Sequence, residues 1–427
     1  MSNESTKTNQ ITEGVIWKQL LIFFFPIVVG TLFQQLYNTV DAVIVGRFVG
    51  KGALAAVGGS SAVLSNLIIG CFTGLASGAS VIVSQFYGAK DERNLQKSLH
   101  TAYAFSVILS IVFTILGWAL TPFLLKLIDT PADTLADSIL YLRIYFLGIF
   151  GTLIFNIGSA IMRSIGDSRR PLYYLIVCCF LNIILDLVLV IVFDMGIVGA
   201  AIATIISQAV SAILVTNALM KKYDDCKLYL SKLHIDLLKL RMEFRIGIPS
   251  ALQAFMYSIT NIIIQAAING FGTDTAAAWA SFGKLDALFW TVNGAFGIAI
   301  TTFAGQNYGA GKKERIFKSV RICLAMAVAV CGGIVLFLAI FCHPLFSIFT
   351  DQNVINIGID MLRFMAPCYT IYVFIEVLSG ALRGTGDVLL PTLITLGGVC
   401  LIRIPWIMFV LPAHHTTTCV MLSYPIS

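Results

Sequence analysis

The chain contains two short motifs, each of which occurs twice, about half the chain apart. Residues 159–171 read SAIMRSIGDSRRP and residues 379–391 read SGALRGTGDVLLP, so both carry the pattern RxxGDxxxP at a spacing of 220. Residues 84–98 read SQFYGAKDERNLQKS and residues 305–319 read GQNYGAGKKERIFKS, at a spacing of 221. Two motifs repeated at nearly one spacing indicate that the chain consists of two homologous halves.

Both halves are far more apolar than an ordinary soluble domain. Hydrophobic residues make up 58% of the sequence and charged residues 12%, and the mean hydropathy is +0.89. Apolar stretches long enough to span a bilayer follow one another with short loops, without the alternation of barrel strands. The sequence therefore predicts an all-α polytopic membrane protein. Two homologous bundles favour a transporter, because they can rock about a central site.

Eleven apolar segments predict the spans. They lie near residues 17–45, 53–83, 95–121, 136–162, 171–193, 196–220, 246–270, 275–304, 316–342, 354–382 and 391–412. Six spans return a chain to its starting side, so the halves are expected to be six-helix bundles related as parallel repeats. The predicted organisation is a tail at 1–16, a first lobe at 17–220, a polar linker at 221–245 and a second lobe at 246–427.

The repeat also predicts a twelfth helix near residues 416–440, whereas the sequence ends at Ser427. Either the sequence is truncated, or the protein has eleven complete spans and the start of another. Truncation is the favoured interpretation, because the loss of one helix from a bundle would expose its polar, small-residue interface to lipid.

Basic residues are concentrated in the loops on one side of the predicted bundle. Among them are Lys90, Arg93, Lys97, Arg169, Arg170, Lys312, Lys313, Arg315, Lys318 and Arg321. The opposite side shows only Arg47, Lys51 and Lys126. By the positive-inside rule, the N-terminus, the central linker and both RxxGDxxxP motifs are expected to face the cytoplasm. We therefore assign the net charge of +6 to loops held beside lipid headgroups, and not to nucleic-acid binding.

Two aspartates lie inside predicted spans, where an ionisable side chain costs about 2.5–3.5 kcal/mol on insertion scales. Asp41 lies towards the outer end of the first span, and Asp186 lies in the fifth, with Asn182 one turn before it. Each aspartate could be structural, with Asp41 solvated at the interface and Asp186 satisfied by neighbouring helices. Two carboxylates at similar depth in one half favour a functional pair, which takes up H+ or binds Na+.

The second half does not repeat these acids. At the spacing of 220, Asn182 and Asp186 correspond to Ile402 and Trp406. The second half has its own intramembrane acid, Glu376, which is either functional or paired with an arginine. Cation coupling is therefore expected to be asymmetric and to belong to the first half.

A proline lies inside the first span of each half. Pro26 precedes Asp41 by fifteen residues, and Pro249 is its counterpart. A proline within a helix frees a backbone carbonyl and kinks the helix. The kink at Pro26 is either static or a hinge that the protonation of Asp41 controls.

The repeated RxxGDxxxP motif is interpreted as a structural turn between helices. Its Arg and Asp are expected to pair, its Gly permits a tight turn, and its Pro begins the next helix. The turn residues are Arg163, Gly166, Asp167, Arg383, Gly386 and Asp387.

Signatures of enzymes are missing from the sequence. It contains no GxxxxGK[ST] loop for ATP, no HExxH, no GxSxG and no paired DDxxD motif. Its ten cysteines form no CxxC pair and no metal-ligand spacing. The sequence therefore predicts a secondary transporter without a bound metal or cofactor, driven by a gradient of H+ or Na+.

Together, the two halves, the QxYGA loops and the RxxGDxxxP turns resemble the multidrug and toxic compound extrusion (MATE) transporters. The placing of Pro26, Asp41, Asn182, Asp186 and Thr204 is similar to that in the DinF-like branch of bacterial members. The resemblance implies V-shaped lobes around a central cavity and an antiporter that exports lipophilic, mostly cationic compounds in exchange for H+ or Na+.

The resemblance also implies roles for individual residues. Asp41 and Asp186 would accept the proton or Na+, Asn182 and Thr204 would be supporting ligands, and Pro26 would be the hinge. The candidate residues of the substrate cavity are Gln34, Tyr37, Asn156, Gln253, Tyr257 and Glu376. The expected partners are small-molecule substrates and the lipid bilayer, and the expected state is a monomer.

Two alternatives to a drug exporter fit the sequence less well. A flippase or exporter of lipid-linked precursors or polysaccharides would usually have further spans and a more cationic cavity, whereas the first half looks acidic. A polytopic membrane enzyme would need a metal or an acid cluster at one interface, and the sequence contains none.

Overall fold

The computed structural model describes residues 10–128, 130–224, 226–347 and 352–427. Helices contain most of these residues, and no strand occurs among them. Eleven helices in the described ranges are long and apolar enough to cross a membrane. The predicted all-α polytopic fold is therefore confirmed.

The eleven long helices are numbered α1 to α11 in chain order. In the first half they are α1 (Ile16–Val49), α2 (Lys51–Gly88), α3 (Glu92–Leu127), α4 (Ala132–Ser164), α5 (Arg169–Val192) and α6 (Gly196–Lys221). In the second half they are α7 (Leu237–Asn269), α8 (Thr273–Gly309), α9 (Lys313–Ile340), α10 (Val354–Thr385) and α11 (Leu389–Val410). A short helix at Gln10–Glu13 precedes α1, and another at Cys342–Ser347 lies between α9 and α10. Helix α12 (Thr417–Ile426) follows α11.

Three of the long helices contain π-helical segments. These are Val45–Val49 in α1, Leu187–Val192 in α5, and Gly397–Arg403 and Trp406–Val410 in α11. In a π-helix the backbone hydrogen bond reaches one residue further than in an α-helix, and such segments are frequent at functional sites. The segment in α5 begins directly after Asp186, and the first segment in α11 ends at Arg403.

Helix α7 begins at Leu237, within the segment that the sequence analysis assigned to the linker. Its start is capped by Asp236, whose Oδ1 accepts hydrogen bonds from the backbone N–H groups of Leu238 and Lys239. Lys97 Nζ lies 3.3 Å from Asp236 Oδ2. The backbone hydrogen bond from Lys239 is the main cause that lowers the pKa of Asp236. These contacts explain why a polar stretch continues into a span.

The chain forms two compact units whose borders fall inside α1 and α7. One unit is Phe25–Ile248, and the other contains the chain up to Phe24 and from Pro249 onwards. The first turns of α1 belong to the second-half unit, where the Phe24 ring stacks on Phe296 with centroids 4.0 Å apart. Each border lies next to an intrahelical proline, since Phe25 precedes Pro26 and Ile248 precedes Pro249.

Glycines allow α2 and the start of α7 to pack backbone against backbone. A Cβ on Gly78 would overlap the carbonyl oxygen of Glu243 and would lie 2.7 Å from the amide nitrogen of Gly247. A Cβ on Gly247 would in turn lie 2.8 Å from the carbonyl oxygen of Leu75. Small residues at such contacts are typical of helices that associate in membranes, because they let the backbones approach closely.

The RxxGDxxxP turns differ in their ion pairs from the sequence prediction. Gly166 and Gly386 both have φ of 94°, in the region that favours glycine. Asp167 does not pair with Arg163, because its carboxylate caps the start of α5. Oδ1 accepts from the N–H groups of Arg169 and Arg170, at 3.1 Å each.

The second oxygen of the Asp167 carboxylate and the second copy of the motif also have partners other than the predicted ones. Asp167 Oδ2 accepts from Arg170 Nη1 at 3.0 Å and from the Tyr223 hydroxyl at 2.6 Å. In the second copy, Arg383 pairs with Glu376 instead of Asp387, with Nη2 2.9 Å from Oε1. Of the two alternatives left open for Glu376, the structure shows the pairing with an arginine.

Replacement of Gly78 by alanine is expected to lower the melting temperature of the purified protein in detergent. The added Cβ would force α2 and α7 apart, and overpacking of this kind costs about 1–3 kcal/mol. Gly294→Ala in α8 is the matched control, because nothing lies within 4 Å of a Cβ at that position. Equal melting temperatures for the two variants would contradict the close packing of α2 on α7.

Candidate cation site

Two carboxylates and an amide lie together in the Phe25–Ile248 unit. Asp186 is the last residue of the α-helical part of α5 and is 0% exposed, and Asn182, one turn earlier, is 1% exposed. Asp41 lies on α1 and is half-buried. The charges of Asp41 and Asp186 are close enough to interact. The helices α1 and α5 therefore bring together the two acids that the sequence analysis selected.

These side chains lack hydrogen-bond partners among the described residues. Both carboxylate oxygens of Asp186, both polar atoms of Asn182 and Oδ1 of Asp41 are buried without one. Buried polar groups are nearly always hydrogen-bonded, because an unpaired one costs several kcal/mol of desolvation, and a charged one costs more. Such a cluster favours the uptake of a proton or a cation, which would relieve the repulsion of two carboxylates in a medium of low dielectric constant.

Two tyrosines, Tyr37 and Tyr141, lie close enough to the carboxylates to interact with them electrostatically. Tyr141 on α4 interacts electrostatically with Asp41, Asp186 and Tyr37, and its ring stacks on Tyr145 with centroids 6.2 Å apart. Phenol hydroxyl groups can donate a hydrogen bond to an ionised carboxylate and accept one from a protonated carboxylic acid. The tyrosines therefore suit both charge states of the cluster.

Thr204 is buried on α6, in the same unit. Its hydroxyl donates to the carbonyl oxygen of Ala200 at 3.1 Å. A hydroxyl oxygen that donates in this way keeps its lone pairs, so Thr204 can still act as an oxygen ligand. Its role in the cation site stays a prediction.

The six predicted cavity residues are divided between the two units. Gln34, Tyr37 and Asn156 belong to the Phe25–Ile248 unit, where Gln34 is exposed and Asn156 Nδ2 donates to the Thr152 carbonyl at 2.8 Å. The others lie in the second-half unit: Gln253, Tyr257 and Glu376.

Two of the three second-half members of this set have polar side-chain partners. Gln253 Nε2 donates to Thr395 Oγ1 at 3.1 Å, and Glu376 accepts from Arg383. Glu376 is therefore compensated, unlike Asp186. Pro26 is buried inside a continuous part of α1.

Three buried charges were not selected from the sequence: Arg403 on α11, and Lys239 and Glu243 on α7. Arg403 on α11 is 4% exposed, and Glu243 on α7 is buried with no hydrogen-bond partner for Oε1 among the described residues. Glu243 was assigned to the linker because its neighbours are polar. The signal that could have identified Arg403 was present, since a charge inside an apolar span is rare and usually functional.

Comparison with known proteins places the chain among transporters. A family model described as MatE matches residues 26–188 and 249–409, once in each half. The chain is 28% identical over 425 residues to the "Probable multidrug resistance protein YoeA" of Bacillus subtilis, with 97% of this chain and 91% of the relative covered. It is also 28% identical over 402 residues to the "Probable multidrug resistance protein NorM" of Thermotoga maritima, with coverage of 91% and 84%.

A solved structure has the same fold over nearly the whole chain. It is described as the outward-facing conformation of a multidrug resistance MATE family transporter of the MOP superfamily. Its TM-score is 0.90 at 24% sequence identity, and the match covers 99% of this chain and 95% of that chain. At this identity the likeness concerns the fold.

The carboxylates of Asp186 and Asp167 are expected to contribute differently to stability. Asp186→Asn is expected to keep or raise the melting temperature at pH 8 without Na+, because a neutral amide costs less to bury than an unpaired carboxylate. Asp167→Asn is the contrasting variant and is expected to lower it by a few degrees. It loses hydrogen bonds to a charged group, which contribute about 1.5–3 kcal/mol each. A comparable decrease for Asp186→Asn would show that this carboxylate is structural.

Proposed function

The chain belongs to the MatE family of multi-pass membrane transporters, and from this premise we propose that it is a secondary antiporter. It exports lipophilic, mostly cationic drugs or metabolites across the cytoplasmic membrane in exchange for H+ or Na+. The observation that carries the proposal is the buried pair of Asp186 and Asn182, without hydrogen-bond partners among the described residues and beside Asp41.

In the proposed cycle, Asp41 and Asp186 accept the proton or Na+. Asn182 and Thr204 support them with oxygen atoms, since Na+, like other hard cations, prefers oxygen ligands. When the coupling ion leaves, two like charges remain in a medium of low dielectric constant, and a cationic substrate relieves their repulsion. The ion and the substrate therefore compete for the same two carboxylates, and such competition couples the binding of one to the release of the other.

Helix α1 connects the cation site to the conformational change, with Pro26 as the proposed hinge. Proline removes the hydrogen bond to the carbonyl four residues earlier, so bending at this position costs little further hydrogen bonding. Pro26 also lies beside the border at which α1 passes from one compact unit to the other. Asp41 is fifteen residues further along the same helix, about 22 Å. Because a change of charge at Asp41 favours one helix conformation over another, the ion can shift the equilibrium between them.

The proposed orientation follows the basic loops. With the N-terminus and both RxxGDxxxP turns in the cytoplasm, the exposed residues Lys313, Lys318 and Arg321 would face the anionic headgroups of the inner leaflet. We propose that the transporter is a monomer of the DinF-like branch in a bacterial-type inner membrane, and that its basic residues do not bind nucleic acid.

Loss of either carboxylate is expected to abolish coupled efflux. The full chain is expressed in a bacterium that lacks its own multidrug pumps, and efflux of ethidium is measured for Asp41→Asn and Asp186→Asn. We expect the efflux rate to fall about tenfold or more, the change that 1.4 kcal/mol produces. Asp194→Asn is the matched control, because Asp194 is exposed just after α5 and its φ of 52° is tolerated by asparagine. Undiminished efflux in both site variants would remove the coupling assignment.

The coupling ion is identified by imposing one gradient at a time on proteoliposomes. An inward H+ gradient or an inward Na+ gradient is expected to drive ethidium transport, and the Asp186→Asn variant is expected to lose the response. Equal Na+ on both sides is the control for H+ coupling, and equal pH is the control for Na+ coupling. Substrate transport that ignores both gradients would refute the antiporter.

A further inference from the structure

The second-half unit contains a buried cation inside an apolar helix. Arg403 is 4% exposed and lies at the end of the π-helical segment Gly397–Arg403. It is fourteen residues after the start of α11, about 21 Å along the helix. This position is well inside the span, where an arginine is costly and needs a compensating group.

Among the described residues, the side-chain groups that hydrogen-bond to the Arg403 guanidinium or stack on it are neutral. Nε and Nη2 donate to the Ser427 hydroxyl at 2.9 and 2.6 Å, and Nη2 lies 3.4 Å from the Tyr372 hydroxyl. The guanidinium carbon lies 4.5 Å from the centroid of the Tyr424 ring, in a cation–π contact. The hydrogen bonds of the described residues include none from Nη1.

The nearby carboxylates are used by other partners. Glu376 pairs with Arg383 at 2.9 Å. Asp286 accepts hydrogen bonds from the Tyr369 hydroxyl and from Trp290 Nε1, the latter at 2.8 Å. No carboxylate of the described residues lies within ion-pair distance of Arg403. The positive charge of Arg403 is therefore buried without a counter-ion from the described residues.

The internal repeat relates the position of Arg403 to the candidate cation site of the first half. At the spacing of 220, Arg403 corresponds to Ile183, the neighbour of Asn182 in the candidate cation site. Tyr424 corresponds in the same way to Thr204. The second half therefore carries a buried base next to the position where the first half carries its buried amide and acid.

We propose that Arg403, with the hydroxyl of Tyr372 and the ring of Tyr424, binds the carboxylate group of a transported compound. A guanidinium is a planar fork of donors that matches a carboxylate with two parallel hydrogen bonds, and it is the preferred cation for such sites. A carboxylate here would supply a counter-ion that the described residues do not give Arg403, while the aromatic surroundings suit the apolar body of the compound. The inference rests on the proposed export function and narrows its substrate class to zwitterions with a carboxylate.

The test uses two dyes that differ in one group. Rhodamine 110 carries a free carboxylate on a cationic ring system, and rhodamine 123 is its methyl ester. Binding to the purified full chain in detergent is measured by fluorescence polarisation. In Arg403→Gln we expect the affinity for rhodamine 110 to fall about tenfold or more, the change expected when a charge-assisted hydrogen bond is lost. The affinity for rhodamine 123 should stay the same or rise, because a positive charge has been removed.

Control variants separate a direct role from a structural one. Arg363→Gln removes an exposed arginine from α10 in the same unit and should leave both affinities unchanged. Arg403→Lys retains the charge without the fork, and Tyr372→Phe removes only a hydroxyl. Both variants should lower the affinity for rhodamine 110 and leave the affinity for rhodamine 123 unchanged. They replace Arg403→Gln in the test if that variant does not fold. Equal weakening of both dyes, or no change for either, would overturn the carboxylate site.

The same measurements distinguish this inference from the proposed function. If the unmodified chain binds rhodamine 123 but not rhodamine 110, the carboxylate site is refuted and the exporter of cations stands. If rhodamine 110 binds through Arg403 but neither dye is moved by an H+ or Na+ gradient in proteoliposomes, the antiporter is refuted and the carboxylate site stands.

Discussion

The structure depends on the need to satisfy backbone hydrogen bonds without water. Within the hydrocarbon of a bilayer, only a helix pairs every N–H and C=O group inside one segment. The described spans are therefore helical over nearly their whole length, and departures from α-helical bonding are informative. They occur at Pro26 and Pro249, beside the borders of the compact units, and at the π-helical segments. One such segment follows Asp186 and another ends at Arg403, so the hydrogen-bond ladder changes where charges are buried.

The fold could be predicted from the sequence because it depends on properties that act over long segments. Eleven apolar stretches and the repeated motifs were sufficient for the eleven spans, and the positions of Asp41 and Asp186 on α1 and α5 followed from counting residues along each span. Short-range competition between partners could not be predicted. Asp167 has several donors within reach and bonds Arg170 and Tyr223 instead of Arg163. The donor that bonds to Asp167 is determined by the backbone geometry at the start of α5, and the spacing of the motif does not encode that geometry.

The early start of α7 and the position of the unit borders could not be predicted either, because both depend on contacts of individual side chains. Hydropathy marks where a helix enters an apolar medium, whereas Asp236 caps α7 in a polar stretch before that point. Phe24 packs on Phe296 through ring contacts that no periodic pattern encodes. The asymmetry of the halves was visible in the sequence, because the second half does not repeat the acids of the first. The structure adds that Arg403 is buried there without a carboxylate partner among the described residues, while Glu376 and Asp286 bond to other side chains.

The opposite charges of the two halves bear on the energetics of the proposed exchange. If one H+ enters as one monovalent cation leaves, no net charge crosses the membrane, and only the pH gradient drives the cycle. If one H+ enters as one zwitterion leaves, one positive charge moves inwards, and a potential of about 100 mV adds roughly 2.3 kcal/mol. The acids of the first half are the same in both cases, because they carry the coupling ion. A carboxylate site at Arg403 would therefore change the class of substrate while the ion site stays the same. Because each cycle would then move a net charge, the membrane potential would add to the driving force for export.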